Sequence, residues 1–208
     1  MNVLAAIRRL ASSTRGFSVT EIMTVLTAAS TLTAVAAPSV EDYVAQARTI
    51  KVVSDARAIQ VAILRFTSDV AVSDRRAKGW DSMVLMVSDG DTPALGPSGD
   101  REWALAIDRS GHVGRLTEEL VTNEAGYQTG AAGGRNGAGW RGPYIDGPIG
   151  ADPWGHRYAV NVRWLTAASS FDTVVMSAGL DGIVDTAFAR DGLLAAGDDV
   201  LGLVSSGN

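Results

Sequence analysis

No cysteine occurs among the 208 residues. In an exported chain this excludes disulfide stapling, and it leaves no thiol for metal binding or nucleophilic chemistry. Histidine is scarce: His112 and His156 are the only two, and they lie far apart, which argues against a histidine-rich zinc site. Basic residues are outnumbered, with 18 Lys and Arg against 23 Asp and Glu for a net charge of −5. An acidic chain of this kind gives no support for nucleic-acid binding. Neither a phosphate-binding loop nor a Gly-x-Ser-x-Gly string is present. With no cysteine and no base placed near a serine, nucleophilic catalysis has no support. Glu118 and Glu119, like Asp198 and Asp199, are adjacent in sequence and need not face one substrate. The chain is therefore expected not to be an enzyme.

What is present is concentrated at the N-terminus. Arg8, Arg9 and Arg15 form a basic leader, followed by Gly16-Phe17-Ser18-Val19-Thr20-Glu21. From Phe17 to Ala37 the only charge is Glu21. A carboxylate inside a membrane segment costs roughly 2.5–3.5 kcal/mol on insertion scales, so it calls for a role and a partner. If the chain is cut after Gly16, Glu21 becomes the fifth residue. The new Phe17 amine then lies about one helical turn from a carboxylate, and within reach of a neighbouring copy's carboxylate in a helix bundle.

Three plainer readings compete. An ordinary secretory signal would place its cut at Ala34-Val35-Ala36, but Glu21 sits too early in the apolar region. A simple membrane anchor accounts for the length and not for Glu21. A buried helix of a soluble protein accounts for neither the basic leader nor the glutamate.

The leader, the Gly-Phe-x-x-x-Glu string, the apolar run and Pro38 together resemble the class III signal of type IV pilins and pseudopilins. Pro38 is the twenty-second residue counted from Phe17, where that family also carries a helix-bending proline. The resemblance implies cleavage between Gly16 and Phe17 by prepilin peptidase, and methylation of the new N-terminus. It also implies pairing of Glu21 with the amine of an adjoining subunit. One departure is the hydroxyl content of the segment: Thr20, Thr24, Thr27, Ser30, Thr31 and Thr33 stand where the family is richer in Leu, Ile and Val. Hydroxyls can bond back to helix carbonyls, but they weaken lipid anchoring.

Beyond Pro38 the helical pattern continues to Phe66. Val52, Ala56, Ile59, Ile63 and Phe66 recur at helical spacing and mark one apolar face. Phe17 to Phe66 thus reads as one long helix of roughly 75 Å, bent at Pro38. In residues 67–139 the sequence predicts strands at Ser82–Val87 and Trp103–Ile107, and a helix capped by Thr117 that runs to Asn123. Turns are predicted at Asp89-Gly90-Asp91 and Pro97–Asp100, and a Gly-rich loop at Ala125–Gly139.

From Trp140 the chain is more legible. Gly142-Pro143-Tyr144 leads to Asp152-Pro153-Trp154-Gly155-His156-Arg157-Tyr158, where Pro and Gly make a tight turn and the Trp ring can cover the sheet end. His156 reads as a turn residue. Strands are predicted at Tyr158–Trp164 and Phe171–Met176. With Ser177-Ala178-Gly179-Leu180-Asp181-Gly182, this half strongly resembles the major pseudopilins of type II secretion, which usually lack the C-terminal disulfide of many pilins.

An acidic loop runs from Asp181 to Asp198-Asp199-Val200, with Asp185 and Asp191 inside it. Calcium requires six to eight oxygens, and such a loop could supply several of them. The spacing is not that of an EF-hand, and taken alone it equally suits a solvated loop of turn-forming aspartates. In major pseudopilins a loop of this kind binds a structural calcium ion, and the resemblance maps Asp181, Asp198 and Asp199 onto the ligands. Thr186–Gly197 is longer here than in the family, so the register of Asp185 and Asp191 stays open.

The expected fold is α+β, type IV pilin-like, with a long bent N-terminal helix packed on a small antiparallel sheet. Residues 1–16 are the leader and 17–38 the transmembrane or filament-core half of the helix. Residues 39–208 form a periplasmic domain with a variable region at 67–139 and a pseudopilin-like sheet and acidic loop at 140–204. The implied role is a structural subunit of a type II secretion pseudopilus. The chain would first be inserted by a single pass in the inner membrane, then polymerised in the periplasm to drive export across the outer membrane. Implied partners are further copies of the chain, minor pseudopilins, the inner-membrane assembly platform and the prepilin peptidase, with no nucleic acid. A pilin of a surface type IV pilus, or a membrane-anchored binding module using residues 125–139, are the alternatives. Filament formation separates the binding module from the other two.

Overall fold

A computed structural model describes residues 16–97, 99, 101–104, 113–129, 138–165, 171–188 and 192–205, with residues 36–39 and 104 described by their backbone alone. The predicted leader features Arg8, Arg9 and Arg15, together with His112 and Asp191, lie outside the described residues. The fold is α+β. Helix α1 (Val19–Asp69) is followed by α2 (Val72–Ala77), β1 (Leu85–Val87), β2 (Ala94–Leu95), α3 (Arg101–Ala104) and β3 (Val113–Arg115). After a π-helical turn (Glu118–Thr122) come β4 (Ala159–Val160), a 3-10 turn (Val162–Leu165), β5 (Thr173–Ser177), β6 (Ile183–Val184) and β7 (Val200–Ser205).

The chain forms two compact units, residues 1–46 and 47–208. In the first, every described side chain of α1 is exposed. The helix is long and apolar enough to cross a membrane. Its hydroxyls turn inward on their own backbone: Thr24 donates to the Thr20 carbonyl at 2.8 Å, Thr27 to Met23 at 2.8 Å, Ser30 to Leu26 at 2.8 Å and Thr33 to Ala29 at 2.9 Å. The bond satisfies a polar group that a hydrocarbon environment cannot. Pro38 lies within the helix, and its ring lies outside the described side chains.

In the second unit the predicted apolar face is the buried one: Val52, Ala56, Ile59, Ile63 and Phe66 are each at most 2% exposed. They pack on a five-stranded sheet of order β3-β1-β4-β5-β7. The sheet is mixed, not antiparallel throughout as expected: β1 and β3 run parallel, whereas β1–β4, β4–β5 and β5–β7 are antiparallel. A parallel pair needs a crossover of a dozen or more residues, which residues 88–112 are long enough to supply.

Both faces of the sheet are covered, which is why its strands lack polar alternation. Met86, Val160 and Val175 point into the core under α1. Leu85, Val87, Ala159, Val174 and Met176 point into a second core with Trp103, Val184 and Phe188. At the β7 edge the helix comes close: a Cβ on Gly202 would lie 3.1 Å from the Ala56 Cβ, so two small residues set the spacing.

Several predicted elements differ. Trp103 sits in the short helix α3, not in a strand. Its indole is buried, donates to the Thr186 carbonyl at 3.0 Å and meets Phe188 edge-on at 4.8 Å. Residues 105–107 of that predicted strand lie outside the described residues. Thr117 does not cap: it is itself helical and makes no capping bond, and its hydroxyl accepts the Ile149 N–H at 3.2 Å. The turn does end at Asn123, which is left-handed with φ 56°. The predicted strand Tyr158–Trp164 is extended only at Ala159–Val160 before it tightens into the 3-10 turn.

Candidate functional site

The N-terminal motif forms a capping box. Ser18 is the residue before the helix, and its hydroxyl accepts the Thr20 N–H at 3.3 Å. Glu21, three residues on, accepts the Ser18 N–H through Oε2 at 2.9 Å. Two of the four orphan donors at the helix start are thereby satisfied, and the carboxylate lies at the positive end of the helix dipole. Phe17 is 81% exposed beside it, and Ile22, Met23, Val25 and Leu26 are exposed along the next turns. The sequence reading of Glu21 missed this local role, although Ser-x-x-Glu before an apolar run is its signature.

In the C-terminal loop, aspartates serve as acceptors for backbone amides. Asp198 Oδ2 accepts the N–H groups of Leu180 at 2.6 Å and Asp181 at 3.1 Å. Asp181 Oδ1 accepts the Ile183 N–H at 2.8 Å. Asp199 Oδ2 accepts the Asp185 N–H, the Thr186 N–H and the Thr186 hydroxyl at 3.0, 2.8 and 2.6 Å. Gly179 is required where the loop begins: its φ is +64°, and a Cβ would fall 2.3 Å from the Asp198 carbonyl oxygen. The structure thus brings Asp181 and Asp198 together, and sets Asp199 against Asp185.

Asp199 is 6% exposed, and its Oδ1 is buried with no hydrogen-bond partner. Burial pushes the pKa of its carboxyl upward, while the bonds from Thr186 and the Asp185 amide hold it down. An orphaned buried carboxylate oxygen suits a hard cation or a proton. Among the described residues no three acidic or histidine side chains converge as ligands. The hydrogen bonds described leave Asp181 Oδ2, Asp198 Oδ1 and Asp199 Oδ1 unengaged, but these oxygens are not gathered into one ligand set.

Asp152, His156 and Ser177 come together but do not form a catalytic triad. Asp152 Oδ1 accepts the N–H groups of Trp154 at 3.0 Å and His156 at 2.9 Å, and Oδ2 accepts the Ser177 hydroxyl at 2.6 Å. The buried serine is thus spent on the carboxylate, and His156 Nδ1 stands 4.0 Å from Asp152 Oδ1. Nucleophilic catalysis needs the serine on the imidazole instead. The turn Asp152–Gly155 closes with a 3.0 Å bond from the Gly155 N–H to the Asp152 carbonyl, and Trp154 packs against the helix-side core.

Comparison with protein-family models, with curated proteins and with solved structures finds no match.

A further polar cluster joins the end of α1 to the residues that follow it. Trp80 Nε1 donates to the Tyr127 hydroxyl at 2.8 Å, which donates to Glu119 Oε2 at 2.5 Å. Burial raises the Glu119 pKa, and the bonds from Tyr127 and Trp80 oppose it. Burial also raises Tyr127, and Glu119 adds to the effect. Phe66 stacks on Trp80 at 5.3 Å, so the network pins the end of α1 to residues 80–127.

Proposed function

We propose that this chain is a pseudopilin, the structural subunit of a type II secretion pseudopilus. The observation that carries the reading is the Gly16-Phe17…Glu21 motif at the head of a long helix whose apolar residues between 17 and 35 are exposed in the single chain. In this reading prepilin peptidase cuts after Gly16, and the Phe17 amine is exposed and methylated. Removal of residues 1–16 takes away three arginines and no acid, shifting the net charge from −5 to −8. The helix then leaves the inner membrane for a filament core, where Glu21 of one subunit neutralises the amine of the next. Breaking such a buried pair one-sidedly costs about 3–5 kcal/mol. The chain is a substrate of its peptidase and catalyses nothing itself. Further copies, minor pseudopilins and the assembly platform are its partners, and the filament drives export across the outer membrane from the periplasmic side.

The acidic loop is proposed to hold calcium through Asp181, Asp198 and Asp199, on the strength of the orphaned Asp199 Oδ1. The ion would supply a cross-link between the two ends of the loop.

The test is intact-mass analysis of the membrane-extracted protein with and without prepilin peptidase. A product beginning at Phe17, with or without one methyl group, is expected. An uncut chain, or one beginning near Pro38, discards the filament reading.

A further inference from the structure

The second unit carries two exposed surfaces of opposite character. One is the solvent face of α1. Ile50, Arg57, Val61, Leu64 and Arg65 lie along it, with Ile50 62%, Val61 45% and Leu64 43% exposed. Between Thr49 and Ser68 the only acid is Asp55, which pairs with Lys51 and accepts the Tyr158 hydroxyl at 3.0 Å. The face is therefore basic and apolar on an acidic chain. At its far end Val61, Leu64 and Arg65 line a groove of about 470 Å³ with Pro143 and Tyr144, where the single carboxylate of Asp69 is offset by Arg141 and Arg65. Neither Arg57 nor Arg65 forms an ion pair among the described residues.

The other surface is the C-terminal loop. Leu180 is 69% and Leu194 82% exposed, beside exposed Asp181 and Asp198. Exposed leucines among carboxylates match exposed leucine and valine among arginines in both apolar content and charge. Residues 181–199 carry five aspartates and one arginine, so the loop as a whole stays net acidic with one divalent cation bound.

We propose that a second copy of this chain docks on the α1 face through its C-terminal loop, with Leu194 and Leu180 over the groove at Leu64 and Tyr144, and Asp181 and Asp198 facing Arg65 and Arg57. Patch and counter-patch lie on different elements of one chain, so the contact is heterologous and repeats from copy to copy. Like charges suppress the alternative pairings of face with face and loop with loop. The proposal rests on the filament reading and names one lateral contact within it.

Because the chain has no cysteine, the contact can be read directly. Full-length Leu64→Cys and Leu194→Cys chains carrying different tags are co-expressed, assembled and treated with a short bismaleimide. A mixed dimer is expected, with no dimer from either variant alone, and the doubly substituted chain gives a ladder. Arg57→Glu with Arg65→Glu lowers the yield about fivefold, as two exposed charge pairs would. Filaments seen by electron microscopy without the 64–194 cross-link overturn this contact and leave the filament reading standing. A 64–64 dimer also overturns it, since that contact is isologous. No filaments from the unsubstituted chain overturns both.

Discussion

Glu21 offers the sharpest test, because two roles for it give different results for two substitutions. In the single chain its Oε2 accepts the Ser18 N–H at 2.9 Å. Loss of a cap of this type costs about 1 kcal/mol, enough to fray one turn of a helix that runs to Asp69 but not to unfold it. In a filament the same carboxylate would face a Phe17 amine. At about 4 Å and an effective dielectric of about 20, such a pair is worth roughly 4 kcal/mol, or about a thousandfold in association per subunit. Glu21→Gln keeps an oxygen for the Ser18 N–H and removes the charge, while Glu21→Ala removes both. If charge neutralisation drives assembly, both variants are cut at Gly16 and neither polymerises. If capping is the whole role, the glutamine variant behaves as the parent chain and the alanine variant is only mildly impaired. The assay is electron microscopy and sedimentation of sheared filaments, with intact mass confirming that each product starts at Phe17. Parent-level filaments from Glu21→Gln would refute the charge argument.

Three further outcomes follow from the second unit. Calcium is expected to raise the melting temperature of the detergent-solubilised chain and Asp198→Ala to abolish the rise; unchanged melting and protease resistance in EGTA would remove the metal site. Phe66 is fully buried between Trp80, Tyr127 and Tyr144, so Phe66→Ala is expected to cost about 3–5 kcal/mol in urea unfolding, and a loss under about 1 kcal/mol would show that the cluster does not hold α1. Burial raises the Glu119 pKa above its unfolded value, so protonated Glu119 favours the fold: its contribution is complete below the ordinary carboxylate range and is lost as pH rises through the raised value. Glu119→Gln should flatten that part of the melting-temperature profile, and an unchanged slope would place the pH dependence elsewhere.

The long helix was legible because its signals are local. An uncharged run followed by apolar residues at helical spacing specifies both an exposed and a buried segment, and the buried face from Val52 to Phe66 is the one found. The Asp152–Gly155 turn was legible for the same reason, since Pro fixes its own φ and Gly alone adopts the positive φ found at Gly155 without strain. The capping box was equally local, but the apolar run around Glu21 drew attention to the membrane instead of the helix end.

Residues 67–139 were not legible, because their conformation is set by partners distant in the chain. Trp103 reads as a strand residue until Thr186 and Phe188 are placed against it, 83 residues on for the hydrogen bond. The parallel pairing of β1 with β3 likewise depends on a crossover that no short-range pattern specifies.

Sequence alone determined the motif at Gly16–Glu21, the amphipathic second half of α1 and the positions of the aspartates, since each follows from spacing and composition. Only the tertiary structure decided which aspartate oxygens are occupied. Asp198 and Asp199 are adjacent in the chain, yet one is exposed and bonded to Leu180 and Asp181, while the other is buried against Thr186 with one oxygen orphaned. What each carboxylate meets is fixed by residues 13 to 18 positions back in the chain, which only the fold brings into contact.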